Sequence, residues 1–295
     1  TSGTTGRSKG AMISHANLST NAQALHDIWH WSNDDHLIHA LPVFHVHGLF
    51  VALNTMLIAG ASCHFLNKFD PNEVPDLMAR STVMMGVPTF YTRLMAEDRL
   101  TAEQTASMRL FISGSAPMLE ETHAQFTKKT GHRILERYGM TEAGMITSNP
   151  YEGDRIPGTV GFALPDVSVR VADPQGNELP HCEVGILEIT GPNVFLGYWE
   201  MPEKTAEEFR PDGYFITGDM ATSDDKGRIS IVGRGKDLII SGGYNVYPKE
   251  IELCLDDMEG VLETAVIGLP HPDFGEGVAA VVVPLPNSKG SFTEA

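Results

Sequence analysis

Three kinds of feature are scarce in this sequence of 295 residues, and each scarcity excludes a class of protein. The three cysteines, Cys63, Cys182 and Cys254, lie far apart without a Cys-x-x-Cys pair, so a reducing, cytoplasmic location is expected. Lys and Arg total 21 against 38 Asp and Glu, and the net charge of −17 disfavours a nucleic-acid partner. No apolar run approaches the ~20 residues that cross a bilayer, and no signal peptide is visible, so no membrane span is expected.

The first ten residues are the stretch richest in chemistry, Thr-Ser-Gly-Thr-Thr-Gly-Arg-Ser-Lys-Gly. Glycines allow positive φ and a close approach of the backbone, whose successive N–H groups can form an anion-binding nest. The hydroxyls and Lys9 add donors that strengthen against a charged oxygen. Because no Gly-Lys is followed directly by Ser or Thr, this is not the common P-loop. The stretch is a candidate polyphosphate site, with a flexible linker as the alternative.

Strand-like and helix-like segments alternate from residue 15 to about residue 138. The apolar patterns predict helices at 15–31, 48–59, 71–80, 88–97 and 119–130, and strands at 36–41, 61–66, 82–87, 109–113 and 133–138. This alternation favours a parallel α/β sheet, in which ligands gather at the carboxyl ends of strands. Four polar or Gly-rich loops fall at such ends, at 43–48, 86–88, 113–117 and 138–142, so they are expected to share one site.

The pattern changes twice along the rest of the chain. From Pro150 to about Gly233, short β segments separated by turns predict a small antiparallel barrel or sandwich. From Lys236 onward, a helix at 248–258 and strands at 263–269 and 278–283 predict a small α+β module. We therefore expect three parts: 1–150, 151–235 and 236–295. Since the chain begins with Thr1 inside a motif and ends in a polar stretch, we also expect sequence to be missing at both ends.

Four motifs in order resemble the adenylate-forming superfamily of acyl-CoA synthetases, peptide-synthetase adenylation domains and luciferases. They are the opening stretch, Arg-Tyr-Gly-Met-Thr-Glu at 137–142, Tyr-Phe-Ile-Thr-Gly-Asp at 214–219 and Gly-Arg-Gly-Lys-Asp at 233–237. Within it, residues 41–50, 86–94 and 244–251 look like the malonyl-CoA synthetases. The resemblance implies two half-reactions that use ATP, Mg²⁺ and coenzyme A. A carboxylate attacks the α-phosphorus of ATP to give acyl-AMP and pyrophosphate, and the coenzyme A thiol then displaces AMP.

The resemblance also implies a role for individual residues. The β- and γ-phosphates would be held by Thr1, Ser2, Gly3, Thr4, Thr5, Gly6 and Lys9. Thr141 would bind the α-phosphate and Glu142 would bind Mg²⁺, while the nucleoside would be held by Gly114, Ser115, Ala116, Tyr138, Gly139, Asp219 and Arg234. His45 would be a catalytic gate near the acyl carboxylate. The distal carboxylate of malonate would pair with Arg93, near His47 and Ser113. Lys236 would be a hinge, with Gly242 and Gly243 in the coenzyme A tunnel.

Each of these assignments has a structural alternative. Thr141 and Glu142 are also suited to a helix start, Tyr138 to a core aromatic and Asp219 to an Asx-turn. His45 and His47 are also suited to core or capping positions, since a zinc site would need a third ligand. Arg93 lies off the apolar stripe of its helix and is also suited to a solvated arginine. Residues 241–243 are also suited to an ordinary β-turn.

One expected motif is absent. The family's adenylation lysine, in a Gly-Lys context near the end of the C-terminal domain, has no counterpart here, because Lys289-Gly290 has different surroundings. We therefore expect these residues alone to adenylate poorly. The alternatives to malonate–CoA ligation are another acyl-CoA ligase, a carrier-loading adenylation domain and, outside enzymes, a nucleotide-binding module.

Overall fold

The computed structural model describes residues 9–258 and 260–285, and the expected α/β architecture is confirmed. Its helices are α1 (His15–Ile28), α2 (Asn54–Ala59), α3 (Val74–Met78), α4 (Pro88–Met95), α5 (Glu120–Thr130), α6 (Pro202–Glu207) and α7 (Pro248–Asp256). Its first seven strands are β1 (His36–His39), β2 (Ser62–Phe65), β3 (Val83–Gly86), β4 (Leu110–Ser113), β5 (Leu135–Met140), β6 (Gly144–Ser148) and β7 (Phe162–Ala163). The others are β8 (Ser168–Ala172), β9 (Gly185–Thr190), β10 (Phe215–Ser223), β11 (Ile229–Arg234), β12 (Ile239–Ser241), β13 (Tyr244–Val246), β14 (Val261–His271) and β15 (Gly275–Pro284).

Internal contacts divide the chain into two compact units. The first contains the chain up to Arg170 together with Glu188–Thr217 and Ser223–Ser230. The second contains Val171–Leu187, Gly218–Thr222 and the chain from Ile231 onward.

A seven-stranded sheet of order β2-β1-β3-β4-β5-β6-β7 organises the first unit. The strands from β2 to β5 in this order are parallel, as expected, whereas β5, β6 and β7 pair antiparallel. All four residues of β3 and all four of β4 are buried, because apolar clusters cover both faces of a parallel sheet. One face carries Leu37, Val83, Met85, Ile112 and Leu135, and the other carries Ile38, Met84, Phe111 and Ile134. The carboxyl ends of β1, β4 and β5 consequently meet at one edge.

An ion pair between Arg109 and the buried Asp35 ties the beginnings of β1, β3 and β4 together at the opposite edge. Arg109, just before β4, donates from Nε and Nη2 to the two carboxylate oxygens of Asp35 at 2.8 and 2.7 Å. Asp35 is 3% exposed and also accepts from Thr82 Oγ1 at 2.7 Å. Burial acts to raise the pKa of Asp35. The hydrogen bonds to its carboxylate outweigh burial, so the pKa is lowered.

Two predicted helices differ from those observed. The helix expected at 71–80 covers only Val74–Met78, because Asp70 Oδ1 accepts from the Asn72 N–H at 2.9 Å and forms a turn before it. The helix expected at 48–59 begins as a π-helical segment, His47–Leu53, and continues as α2. At its start only glycine fits, because a Cβ on Gly48 would lie 2.4 Å from the Pro42 carbonyl oxygen.

The later strands form two further sheets. One has the order β11-β10-β9-β8; this sheet is open, and the barrel-like closure expected from the sequence is not seen in the described chain. The other, β13-β12-β15-β14, lies in the second unit and forms the expected α+β module with α7. Thr264 on β14 donates to Asp256 of α7 at 2.7 Å. Among the described helices, none has the length and apolar character needed to cross a membrane.

Candidate functional site

The carboxyl ends of β1, β4 and β5 bring together a group of residues that we call the arginine cluster: the buried His39, His47, Gly114 and Arg137, and the exposed Ser115. The guanidinium of Arg137 packs on the backbone of Gly114 so closely that a Cβ there would lie 2.5 Å from Cζ. Ser115 follows with a φ of 71° in the loop after β4, and its Oγ lies 3.2 Å from His47 Nδ1. Two of the four loops expected to share a site, 43–48 and 113–117, thus contribute to this cluster, together with residues of β1 and β5.

Arg137 is the unusual member of the cluster, because its charge is buried without a counter-charge. It is 3% exposed, and its Nε and Nη2 atoms have no hydrogen-bond partner among the described residues. Burial lowers its pKa to about 9, so the guanidinium stays charged at neutral pH. A buried and unpaired cation is strongly unfavourable unless an anion joins it. The arrangement is therefore suited to binding a carboxylate.

Two of the histidines at this edge of the sheet, His39 and His47, are buried, and burial lowers the pKa of both, whereas His45 is exposed. His47 is 1% exposed, and burial, followed by the nearby charge of Arg137, holds its pKa well below the ordinary value. Its Nε2 and both ring nitrogens of His39 have no partner in the described chain. His45 is exposed, and its Nδ1 accepts from the His47 N–H at 3.1 Å. No group of three or more His, Cys, Asp or Glu that could hold a metal ion occurs in the described residues.

Two residues expected to contact the acyl substrate lie elsewhere. Arg93 is exposed on α4, and no hydrogen bond or ion pair is described for its guanidinium. This matches the alternative interpretation of Arg93 as a solvated arginine. Ser113 is the register partner of Glu136 across β4 and β5. Because side chains alternate along a strand, Ser113 faces the side of the sheet opposite to Arg137 and Gly114. The structure does not bring Arg93 and Ser113 into the arginine cluster.

Thr141 and Glu142 occupy the tight turn between β5 and β6, not the start of a helix. The turn needs glycines: a Cβ on Gly139 would lie 2.2 Å from the Gly144 carbonyl oxygen, and Gly144 has a φ of 59°. A register shift between Tyr138 and Gly139 marks a bulge before the turn. Glu142 is 5% exposed, and its carbonyl oxygen accepts from the Phe195 N–H at 2.7 Å.

A second group, the tyrosine cluster, surrounds the Glu142 side chain and consists of Lys9, Glu142, Tyr198, Lys204 and Glu208. Tyr198 Oη lies 3.0 Å from Glu142 Oε1 and 2.8 Å from Glu208 Oε2. Burial and these two carboxylates raise the pKa of Tyr198 far above its ordinary value, so the hydroxyl remains a donor. Lys9 Nζ lies 4.1 Å from the Tyr198 ring centroid and 3.5 Å from Glu208 Oε1, and Lys204 Nζ is 3.0 Å from the same oxygen.

Glu142 has the chemistry of a Mg²⁺ ligand. Its Oε1 lies within hydrogen-bond distance of Tyr198, whereas no hydrogen bond is described for Oε2. Mg²⁺ commonly binds through one or two carboxylates together with substrate phosphates. The residues present therefore fit a metal held jointly by Glu142 and a nucleotide.

The expected phosphate-binding residues Thr1, Ser2, Gly3, Thr4, Thr5 and Gly6 lie outside the described residues. Lys9 is described and belongs to the tyrosine cluster. The chain that follows it is paired with residues 196–199: Trp199 donates to Gly10 O at 2.7 Å, and Met12 donates to Gly197 O at 2.9 Å.

The nucleoside residues expected in the first unit adjoin the arginine cluster. Gly114 is buried, and Ser115 and Ala116 are exposed in the loop after β4. Tyr138 and Gly139 are half-buried in β5, so Tyr138 is not a core aromatic.

In the second unit, the structure pairs the two residues expected to hold the ribose. Arg234 Nε lies 2.8 Å from Asp219 Oδ1, and Asp219 lies within β10, not in an Asx-turn. Lys236 sits in a 3₁₀ turn, Gly235–Asp237, with its Nζ 3.6 Å from Asp237 Oδ1. Gly242 and Gly243, with φ of 58° and 84°, form the two-residue turn between β12 and β13, as the β-turn alternative expects.

Sequence reasoning missed three functional candidates: Arg137, Tyr198 and Glu208. For Arg137 a signal existed, since Glu136 and Arg137 are two charged residues inside a segment that otherwise predicts a buried strand. Tyr198 and Glu208 gave none, because their contacts with Glu142 and Lys9 join distant parts of the chain.

Comparisons with known proteins show what this chain is similar to. A family model described as AMP-binding enzyme matches residues 1–199. A probable CoA ligase of Humulus lupulus is 39% identical and is aligned over 98% of this chain and 51% of its own length. The malonate–CoA ligase of Arabidopsis thaliana is 38% identical over 96% of this chain and 50% of its own. The crystal structure of ATP-bound MatB from Rhodopseudomonas palustris is 63% identical, with a TM-score of 0.96 over 100% of this chain and 58% of that one.

The chain thus spans about half the length of the curated relatives it matches. Since the family model covers about two thirds of the residues and the fold superimposes on a solved member, this chain belongs to the AMP-binding enzyme family.

Proposed function

We propose that the full-length gene product is an ATP-dependent, AMP-forming acid–CoA ligase that converts malonate into malonyl-CoA and also accepts methylmalonate. Membership of the AMP-binding enzyme family and a malonate–CoA ligase among the relatives support this proposal. The partners of the protein are then ATP with Mg²⁺, a small dicarboxylate and coenzyme A.

The single observation that carries the choice of malonate is the buried, unpaired charge of Arg137. A monocarboxylate has one charged end, which must reach the α-phosphorus, and so offers nothing to a second cation. A dicarboxylate has a second charged end, and a guanidinium binds it with permanent charge and two parallel donors. We assign this role to Arg137 in place of Arg93, with the neutral His47 beside it.

The other residues hold and align the reactants. Glu142 would hold Mg²⁺, which when bound offsets the charge of the phosphates, and Thr141 would donate to the α-phosphate. Lys9, with the opening stretch, would hold the β- and γ-phosphates. Asp219 would accept hydrogen bonds from the ribose hydroxyls, and Arg234 would orient the Asp219 carboxylate. Fixed donors and cations of this kind reduce the repulsion between carboxylate and nucleotide and align the attack.

In the remaining roles, His45 would gate the path to the acyl carboxylate, and Gly114 to Ala116 with Tyr138 and Gly139 would bracket adenine. Lys236 would act as the hinge, and Gly242 and Gly243 would leave room for pantetheine. A cytoplasmic location is also proposed, supported by three free cysteines.

Arg137→Met in the full-length gene product tests the assignment, with Arg93→Ala as the control. Loss of charge-assisted hydrogen bonds worth about 1.5–3 kcal/mol lowers kcat/KM for malonate roughly 10- to 150-fold. Turnover of propionate and butyrate is unchanged, and the melting temperature does not fall, because an unpaired buried charge has been removed. The assays are acyl-CoA formation across this panel of acids and thermal unfolding.

Arg93→Ala keeps parental activity with every acid if the assignment is correct. Selective loss of malonate turnover in Arg93→Ala would return the role to that residue. Equal loss across all acids in Arg137→Met would make Arg137 structural. A parent protein that prefers a monocarboxylate, or loads a carrier protein in place of coenzyme A, would refute the malonate proposal.

A further inference from the structure

The tyrosine cluster contains two side chains that the proposed function leaves without a role. Tyr198 is 2% exposed and lies between two carboxylates, Glu142 and Glu208. A hydroxyl has one proton, so Tyr198 donates to only one of them at a time. Its contact with Glu142 involves Oε1, which restricts the carboxylate to one orientation and leaves Oε2 for another partner.

Glu208 restricts the position of Lys9 as Tyr198 restricts the orientation of Glu142. Its Oε1 lies 3.5 Å from Lys9 Nζ, and its Oε2 lies 2.8 Å from Tyr198 Oη. Lys204 Nζ, at 3.0 Å from the same Oε1, fixes the Glu208 carboxylate from the other side. The Tyr198 ring lies below Lys9 Nζ, and an ammonium over a tyrosine face is attracted to it. The position of Lys9 therefore depends on both side chains.

The backbone joins the same parts. Phe195 donates to the Glu142 carbonyl oxygen, while residues 196–199 pair with residues 10–12, just beyond Lys9. One segment, 195–208, thus contacts both the turn that carries Glu142 and the end of the opening stretch.

We propose that Tyr198 and Glu208 are positioning residues of the nucleotide site: Tyr198 orients Glu142 for the metal, and Glu208 aims Lys9 at the phosphates. This inference rests on the proposed function only in assigning ATP and Mg²⁺ to the site, and it is independent of which acid is activated. The two residues affect different parts of the same ligand, and this difference can be measured.

The test uses the full-length gene product and a non-hydrolysable ATP analogue, with its affinity measured by calorimetry in Mg²⁺ and in EDTA. Tyr198→Phe removes one hydroxyl and keeps the ring. It weakens binding about tenfold in Mg²⁺, as expected for one hydrogen bond to a charged group, and leaves binding in EDTA unchanged. Glu208→Gln weakens binding in both conditions, because Lys9 acts on the phosphates without the metal. Glu207→Gln, an exposed neighbour that also contacts Lys204, is the control and binds as the parent does.

Parental affinity of Tyr198→Phe in Mg²⁺ would overturn the proposal, as would an equal loss with and without Mg²⁺, which indicates a structural role alone. A loss in Glu208→Gln confined to Mg²⁺ would overturn the assignment of Lys9 to Glu208. Because no acid substrate is present in the assay, these outcomes decide the proposal even where malonate proves not to be the substrate.

Discussion

Glu136→Gln should make the stability of this protein less dependent on pH. Glu136 lies in β5 and is 7% exposed, and its Oε1 accepts from the Gly158 N–H at 3.2 Å. Burial, aided by the nearby charge of Glu120, raises its pKa from 4.5 to about 8. The folded protein therefore keeps a proton at neutral pH that the unfolded chain releases.

The sign of the effect follows from proton binding. Between pH 4.5 and about pH 8 the folded state binds more protons at this group than the unfolded state, so the free energy of unfolding falls as the pH rises. The stabilising contribution of the protonated Glu136 carboxyl is complete below pH 4.5, the pKa in the unfolded chain. It is lost as the pH rises through about 8, the pKa in the folded protein. At 1.36 kcal/mol per pKa unit, the interval corresponds to at most about 5 kcal/mol. Glutamine keeps the bond from Gly158 and cannot ionise.

The assay is urea unfolding at pH 6 and pH 9, followed by the fluorescence of the buried Trp29 and Trp31. The free energy of unfolding of Glu136→Gln, taken relative to the parent, is about 2–4 kcal/mol higher at pH 9 than at pH 6. Glu121→Gln, on the exposed side of α5, shows no such difference. An equal effect of Glu136→Gln at the two pH values would refute the argument that this carboxyl is protonated in the fold.

Two further substitutions test the sheet and the arginine cluster. Asp35→Ala leaves Arg109 without its partner and lowers the free energy of unfolding by about 3–5 kcal/mol, whereas the exposed Asp34→Ala changes it little; chemical denaturation measures both. Gly114→Ala places a Cβ 2.5 Å from the Arg137 guanidinium and displaces it, so KM for malonate rises about tenfold in steady-state kinetics. An unchanged KM for malonate would contradict the contact.

The sequence predicted the parallel sheet because its strands are short apolar runs separated by helices, a pattern set by local chemistry. For Thr141 and Glu142 the structural alternative from the sequence was a helix start, because Thr suits a cap and Glu the first turn. The hairpin is decided by Gly139 and Gly144, whose backbones approach more closely than side chains would allow.

The site was less predictable than the fold for a physical reason. Arg93 lies on α4 and Arg137 lies in β5, and their residue type does not distinguish them. The difference arises from burial and from the contact with Gly114, a neighbour across the sheet. Whether a buried charge is paired depends on contacts between distant residues, which no local pattern encodes. The same holds for Tyr198 and Glu208.

Glu136 and Arg137 are adjacent in the sequence and opposite in charge, yet they do not form an ion pair. Side chains along β5 point alternately to its two faces, so the sheet itself stands between the carboxyl and the guanidinium. Each ionisable group therefore responds to its own surroundings: burial raises the pKa of Glu136 to about 8 and keeps it neutral, whereas burial lowers the pKa of Arg137 to about 9 and still leaves it charged at neutral pH. The strand thus separates the two charges, and Arg137 is left available for the dicarboxylate that we propose as its ligand.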